Sequence, residues 1–163
     1  MPIHWGSKPW KLWSSHWQNR HALKGFRLPL ALLAMVFLGL GLGYLAINYF
    51  SDWRNWTAFD PETRFDSMIP VIPWMILPYY TLYFYYPMAG LFGMKNEKTQ
   101  REVIIFHQIL LILTMMIFAI FLLLPAEVDL RDSVLDTDLG IWHAWFELLY
   151  GVDNPWNAWP SLH

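Results

Sequence analysis

The chain contains no cysteine, which excludes a disulfide framework, a thiolate metal site and a cysteine nucleophile. Charge is scarce as well: 15% of the residues are Asp, Glu, Lys or Arg, against about 25% in an ordinary soluble domain. Nor is there an excess of either sign, because 11 basic and 13 acidic residues leave a net charge of −2. That balance argues against a phosphate-backbone partner, so no nucleic acid is expected. Disorder and collagen-like repeats are excluded by what is abundant. Of the 163 residues 56% are hydrophobic and 18% aromatic, and the mean hydropathy is +0.27. The length allows one domain, and the composition points to a membrane.

Three uncharged runs carry that expectation. Leu28 to Phe50 has no charged residue and as a helix would reach about 34 Å, enough for a hydrocarbon core of about 30 Å. Ser67 to Met94 is also uncharged, is rich in Tyr and contains Pro70, Pro73, Pro78 and Pro87. Such prolines are tolerated in a bilayer where neighbouring helices or waters take the freed carbonyls, so Ile69 to about Phe92 reads as a kinked span with an irregular start. Val103 to Leu124 is Ile, Leu, Phe and Met almost throughout and is stopped by Pro125. The predicted fold is all-α: a multi-pass transmembrane bundle with spans at about 28–50, 69–92 and 103–124.

Lysine and arginine give it a direction. Lys8, Lys11, Arg20, Lys24 and Arg27 precede the first span, and Lys95, Lys98 and Arg101 lie between the second and third; only Arg54, Arg64 and Arg131 fall elsewhere. Short basic loops stay inside. The 1–27 segment and the 95–102 loop are therefore expected to be cytoplasmic. The 51–66 loop and residues 125–163 are expected outside a plasma or inner membrane. In the amino-terminal segment Trp5, Trp10, Trp13 and Trp17 alternate with basic residues. That pattern suits an interfacial amphipathic segment, or equally a poorly ordered tail with tryptophans at the headgroups.

The outward segment begins at Pro125 and runs into an acidic stretch, where Asp136, Thr137 or Asp138 can cap a short helix. Leu139, Trp142, Trp145, Phe146 and Leu149 recur at three-to-four spacing and Gly151 follows. This predicts an amphipathic helix over Leu139 to Tyr150, ended by Gly151 and lying on the outer leaflet. The turn-rich run Asp153 to His163 comes next.

Pro160-Ser161-Leu162-His163, with Asp153, Pro155 and Asn157 just before it, resembles the PSxH motif of the type 2 phosphatidic acid phosphatase superfamily, in its inositolphosphotransferase-like branch that includes inositol phosphorylceramide synthases. Phe65-Asp66-Ser67-Met68-Ile69-Pro70-Val71-Ile72-Pro73 is similar to the segment that leads into a span in that branch, and Pro125 with Arg131 resembles the stretch before PSLH. The likeness covers roughly residues 60 to 163. It implies hydrolysis or transfer of a lipid-linked phosphoryl group. In that family a histidine of a later SRxxxxxHxxxD motif attacks phosphorus, an Asp orients it, and the PSxH histidine protonates the leaving alkoxide. His163 would then be the general acid, a task that suits a group titrating near neutrality. Ser161 would hold phosphoryl oxygens, and Arg131 would neutralise the phosphate with its planar fork.

The sequence departs from the family at three places. Leu124 stands where the first motif has lysine, Asp132 follows Arg131 where it has proline, and no SRxxxxxHxxxD occurs. Arg101 and His107 have the internal spacing of that motif, but Gln100 and Leu111 replace its serine and aspartate, and both lie at the cytoplasmic end of the third span. The expectation is an amino-terminal part of a lipid phosphate phosphatase or phosphotransferase, inactive alone because its nucleophile and further spans are missing. The alternative is a non-catalytic three-span membrane protein, a truncated remnant or an interaction subunit. Membrane lipids, a lipid phosphate substrate and helix–helix partners completing the bundle are the expected partners.

No cofactor or metal is expected. His143 and Glu147 are four residues apart but lack a third ligand, and an i,i+4 surface pair accounts for them. His107 and Gln108 at the start of the third span are expected to snorkel or to bond a neighbouring helix, Gly39, Gly41 and Gly43 to allow close helix packing, and Tyr79, Tyr80, Tyr83, Tyr85 and Tyr86 to pack within the bundle.

Overall fold

The structure is a computed structural model that describes residues 8–54, 56–128, 130–153, 155–156 and 158–160, with only the backbone of Ser67 and Tyr86. Among these residues the fold is all-helical, with no strand and one isolated parallel bridge between Phe59 and Ala126. The α-helices are α1 (Ser14–Gln18), α2 (Arg27–Ala34), α3 (Leu42–Arg54), α4 (Ile76–Phe92), α5 (Glu97–Leu123), α6 (Arg131–Leu135) and α7 (His143–Val152). A π-helical segment, Met35–Gly41, joins α2 to α3 without a break, so Arg27–Arg54 is one 28-residue helix.

Two helices, Arg27–Arg54 and the 27-residue α5, are long and apolar enough to cross a membrane. Only 11% and 28% of their most apolar stretches are buried by the rest of the chain, and Phe37, Leu38, Leu42, Met116 and Leu123 point outward. A soluble core helix would bury that surface, and lipid covers it without a hydration cost. The predicted middle span is shorter. α4 has 17 residues, preceded by 3₁₀ turns at Asp66–Met68 and Pro73–Met75, so the irregular start expected of this segment is seen. Pro87 lies inside α4.

The chain forms two compact units, Met1–Gly43 with Tyr83–Met116 and Tyr44–Leu82 with Ile117–His163. In the first, Trp13, Leu28, Leu32 and Ile104 make a buried cluster against which Trp10, Trp17, Met35 and Met94 pack. Leu28 and Leu32 are one turn apart on α2 and so share a face. Residues 8–27 therefore make short helical turns around a buried Trp13, not a loose tail. The α5 start is capped reciprocally: Thr99 N–H donates to Asn96 Oδ1 at 3.0 Å and Asn96 N–H donates to Thr99 Oγ1 at 3.2 Å. A close approach occurs at Gly93, where an added Cβ would stand 1.9 Å from Val103 Cγ2. At Gly39 and Gly41, by contrast, the nearest atoms belong to Met35 and Val36 of the same helix, so the packing role expected of these two glycines is not seen. The π turn removes the regular register on which a small-residue stripe depends.

In the second unit Arg54 donates to the carbonyls of Phe121 and Leu122. A guanidinium thus satisfies orphan acceptors at the end of α5, where a cation is also favoured by the helix dipole. Tyr80 OH donates to Trp145 O at 3.0 Å, and the two rings meet edge to face. Tyr83 and Tyr85 are exposed.

Candidate functional site

The segment leading into the PSLH motif is fastened at several points within the second unit. On α3, Tyr44, Asn48 and Ser51 recur at helical spacing, and Asn48 and Ser51 are buried. Asp153 Oδ1 accepts from Tyr44 OH at 2.7 Å and from Asn48 Nδ2 at 3.1 Å. Trp156 Nε1 donates to Asp52 Oδ1 at 3.1 Å. The backbone adds a lace around Pro125: Phe59 N–H donates to Pro125 O at 2.9 Å, Glu127 N–H to Phe59 O at 3.0 Å, and Ala158 N–H to Ala126 O at 3.0 Å. Three chain segments remote in sequence are tied together just past the end of α5.

Of the three predicted site residues, Arg131 alone belongs to the described part; Ser161 and His163 lie outside the described residues, as does Asn157 of the same motif set. Arg131 begins α6, donates through Nη1 to Tyr150 O at 3.2 Å, and holds its guanidinium 4.9 Å from the Tyr150 ring centre. The Tyr150 hydroxyl is pushed up from its ordinary value by burial, with the Arg131 charge opposing. Arg131 therefore joins α6 to the end of α7. Pro125 takes part in the bridge to Phe59, and Leu124 is exposed.

The helix before the motif is α7, preceded by the 3₁₀ turn Gly140–Trp142, and it continues through Gly151 to Val152. The stop expected at Gly151 is displaced to Asp153, whose carboxylate bonds to α3 take the chain out of the helix. Asp138 Oδ1 accepts from Gly140 N–H at 3.1 Å at the start of this stretch. His143 Nε2 and Glu147 Oε1 are 3.3 Å apart on the α7 surface. In the segment ahead of α4, Asp66 Oδ2 accepts from both N–H and Oγ1 of Thr63 at 2.7 Å. These bonds hold its carboxyl below the usual value.

About three turns into α5, Gln108 and His107 are buried and do not snorkel. His107 Nδ1 lies 2.8 Å from Val103 O of its own helix. Gln108 bonds the amino-terminal segment, accepting from Trp10 N–H at 2.7 Å and donating to Lys8 O at 3.1 Å. The Tyr44–Asn48–Asp153 contact was missed in the sequence, although a polar stripe inside an uncharged run is a signal for such a contact. Comparison of the chain with protein-family models, curated proteins and solved structures finds no match in any of the three.

Proposed function

We propose that this chain is part of an integral-membrane lipid phosphate phosphatase or phosphotransferase, crossing the bilayer three times with its amino terminus in the cytoplasm and residues 125–163 outside. The observation that carries the reading is the fastening of Asp153, Trp156 and Ala158 to α3 and to the chain after α5, which holds the approach to Pro160-Ser161-Leu162-His163 at a fixed place next to a helix end. Preorganisation of that kind is what a general acid requires. Three crossings are supported by length, since Pro73–Met75 and α4 together reach about 31 Å. Direction is supported by the convergence, in the first unit, of the beginnings of α2 and α5 with the end of α4 around one basic cavity.

In this reading His163 protonates the leaving alkoxide and Ser161 donates to phosphoryl oxygens. Arg131 supplies a guanidinium that exchanges its Tyr150 contact for phosphate. The nucleophile comes from an SRxxxxxHxxxD motif that the 163 residues do not contain. The experiment reads the coding DNA beyond codon 163, then assays the encoded product in vesicles carrying a lipid phosphomonoester. Phosphate release abolished by His163→Ala supports the proposal. A coding sequence that stops without such a motif ends it, in favour of a non-catalytic membrane protein. The existing bond of Arg131 to Tyr150 favours that second reading, because it gives the arginine a structural role without phosphate.

A further inference from the structure

The first unit contains a cavity of about 560 Å³ whose polar wall is formed by Arg20, His21, Lys24, Lys95, Asn96 and Gln100. This volume is in the range of small-ligand sites. Three cations face one carboxylate there, Glu97, which is paired with Arg20, so the wall keeps two net positive charges with histidine neutral. Arg20 Nε and Gln100 Oε1 are buried without a hydrogen-bond partner, leaving a donor and an acceptor on lining residues.

The rest of the wall is apolar. Phe26, Pro29 and Leu91 line this cavity and also a second crevice of about 70 Å³, which continues between Leu30 and Leu33 on one side and Pro87 and Gly90 on the other. Gly90 and the His107 ring both line that crevice, and a Cβ on residue 90 would stand in ordinary contact with the ring at 4.0 Å. The cationic part lies just ahead of Arg27 and around Glu97, where the two long apolar helices begin. That is the level at which lysine and arginine meet lipid headgroups. The rim is also conformationally unusual: Leu23 and Lys24 hold φ of 55° and 56°, which residues with a side chain rarely adopt.

We infer that this cavity binds the phosphate headgroup of an anionic lipid, with the first carbons of its chain in the crevice at Pro29 and Leu91. Arg20, Lys24 and Lys95 face the phosphate, and Phe26 marks the change from headgroup to chain. The site requires the two apolar helices to lie in a membrane and is independent of any phosphatase activity. A binding site of this composition takes a phosphate-ester anion and disfavours a zwitterionic choline headgroup, whose ammonium meets the lysines.

The test uses the full chain in detergent micelles and native mass spectrometry. Palmitoyl lysophosphatidate and palmitoyl lysophosphatidylcholine are offered at equal concentration. Retention of lysophosphatidate over the choline lipid is expected at about ten-fold or more, and the double variant Lys24→Gln/Lys95→Gln is expected to remove about that factor. Lys11→Gln/Lys98→Gln, the same change of charge outside the cavity, should leave the preference intact. Equal retention of the two lipids, or equal loss in both double variants, overturns the site. In a parallel arm inorganic phosphate is added at the lipid concentration. No displacement supports the lipid as ligand, whereas displacement assigns the cavity to free phosphate and overturns the lipid assignment.

Discussion

Trp10 and Gln108 are joined by a hydrogen bond of 2.7 Å from the Trp10 N–H to Gln108 Oε1, across 98 residues of sequence. The same amide donates to Lys8 O at 3.1 Å, so one side chain on α5 serves a donor and an acceptor of the amino-terminal backbone. Gln108→Leu keeps most of the volume and leaves both backbone groups unpaired. A cost of about 1–3 kcal/mol is expected. Hydrogen exchange of residues 8–18 should accelerate and the melting temperature in detergent should fall. Unchanged exchange in that segment would mean that the packing of Trp10, Trp13 and Trp17 holds it without the glutamine.

Gly93 and Val103 define a second close contact. Because a Cβ on residue 93 would overlap Val103 Cγ2 at 1.9 Å, Gly93→Ala forces the end of α4 away from α5. Overpacking of this kind costs about 1–3 kcal/mol. Val103→Ala removes the colliding methyl groups, so the double variant should be more stable than the sum of the single effects predicts. Thermal melts of the four proteins measure this coupling, and strict additivity would refute the contact.

These two contacts also mark where the sequence was legible and where it was not. The end of α5 could be read because Pro125 cannot continue a helix, but its start could not. The loss of charge after Glu102 pointed to Val103, whereas the helix begins at Glu97, within the expected 95–102 loop, where Asn96 and Thr99 cap it. The long helix around Leu28 to Phe50 followed from the same absence of charge, and the irregular start of α4 followed from its prolines. Contacts distant in sequence were hidden. A glycine's value depends on what approaches it, so Gly39 and Gly41 read like packing sites while Gly93 was the real one. The end of α7 looked local, at Gly151, but is set by Asp153 reaching α3. Residues 20–26 and 91–100 form one cationic cavity only when α2 and the end of α4 fold together, which no spacing within either segment reveals.

Asp153 offers a direct handle on the approach to the PSLH motif. Asp153→Ala removes the acceptor shared by Tyr44 OH and Asn48 Nδ2, and Asn48 is only 1% exposed, so its amide cannot turn to water. The loss is expected to cost about 1–3 kcal/mol and to speed hydrogen exchange over residues 153–160. Asp153→Asn should recover part of the effect, since its carbonyl still accepts. If Asp153→Ala leaves exchange at Ala158 unchanged, the bond from Ala158 N–H to Ala126 O fixes the segment by itself.

Arg131 and Tyr150 allow the structural and the phosphate-binding roles of the arginine to be separated by titration. The Tyr150 hydroxyl is raised from its ordinary value chiefly by burial, and the Arg131 charge pulls it back down. Arg131→Gln removes only the opposing influence, so Tyr150 should titrate higher still. The sign for stability follows: a group raised in the folded state contributes stability that is complete below its unfolded value near 10 and is lost as pH rises through the folded value. Loss of the arginine therefore moves the upper end of that window to higher pH. Ultraviolet difference titration against Tyr150→Phe isolates this one tyrosine. If Arg131 also binds phosphate, adding a phosphate analogue to the unaltered protein draws the guanidinium off the ring and shifts Tyr150 in the same upward direction. No shift on such addition, with the expected shift in Arg131→Gln, would leave the arginine as a clamp between α6 and α7 alone.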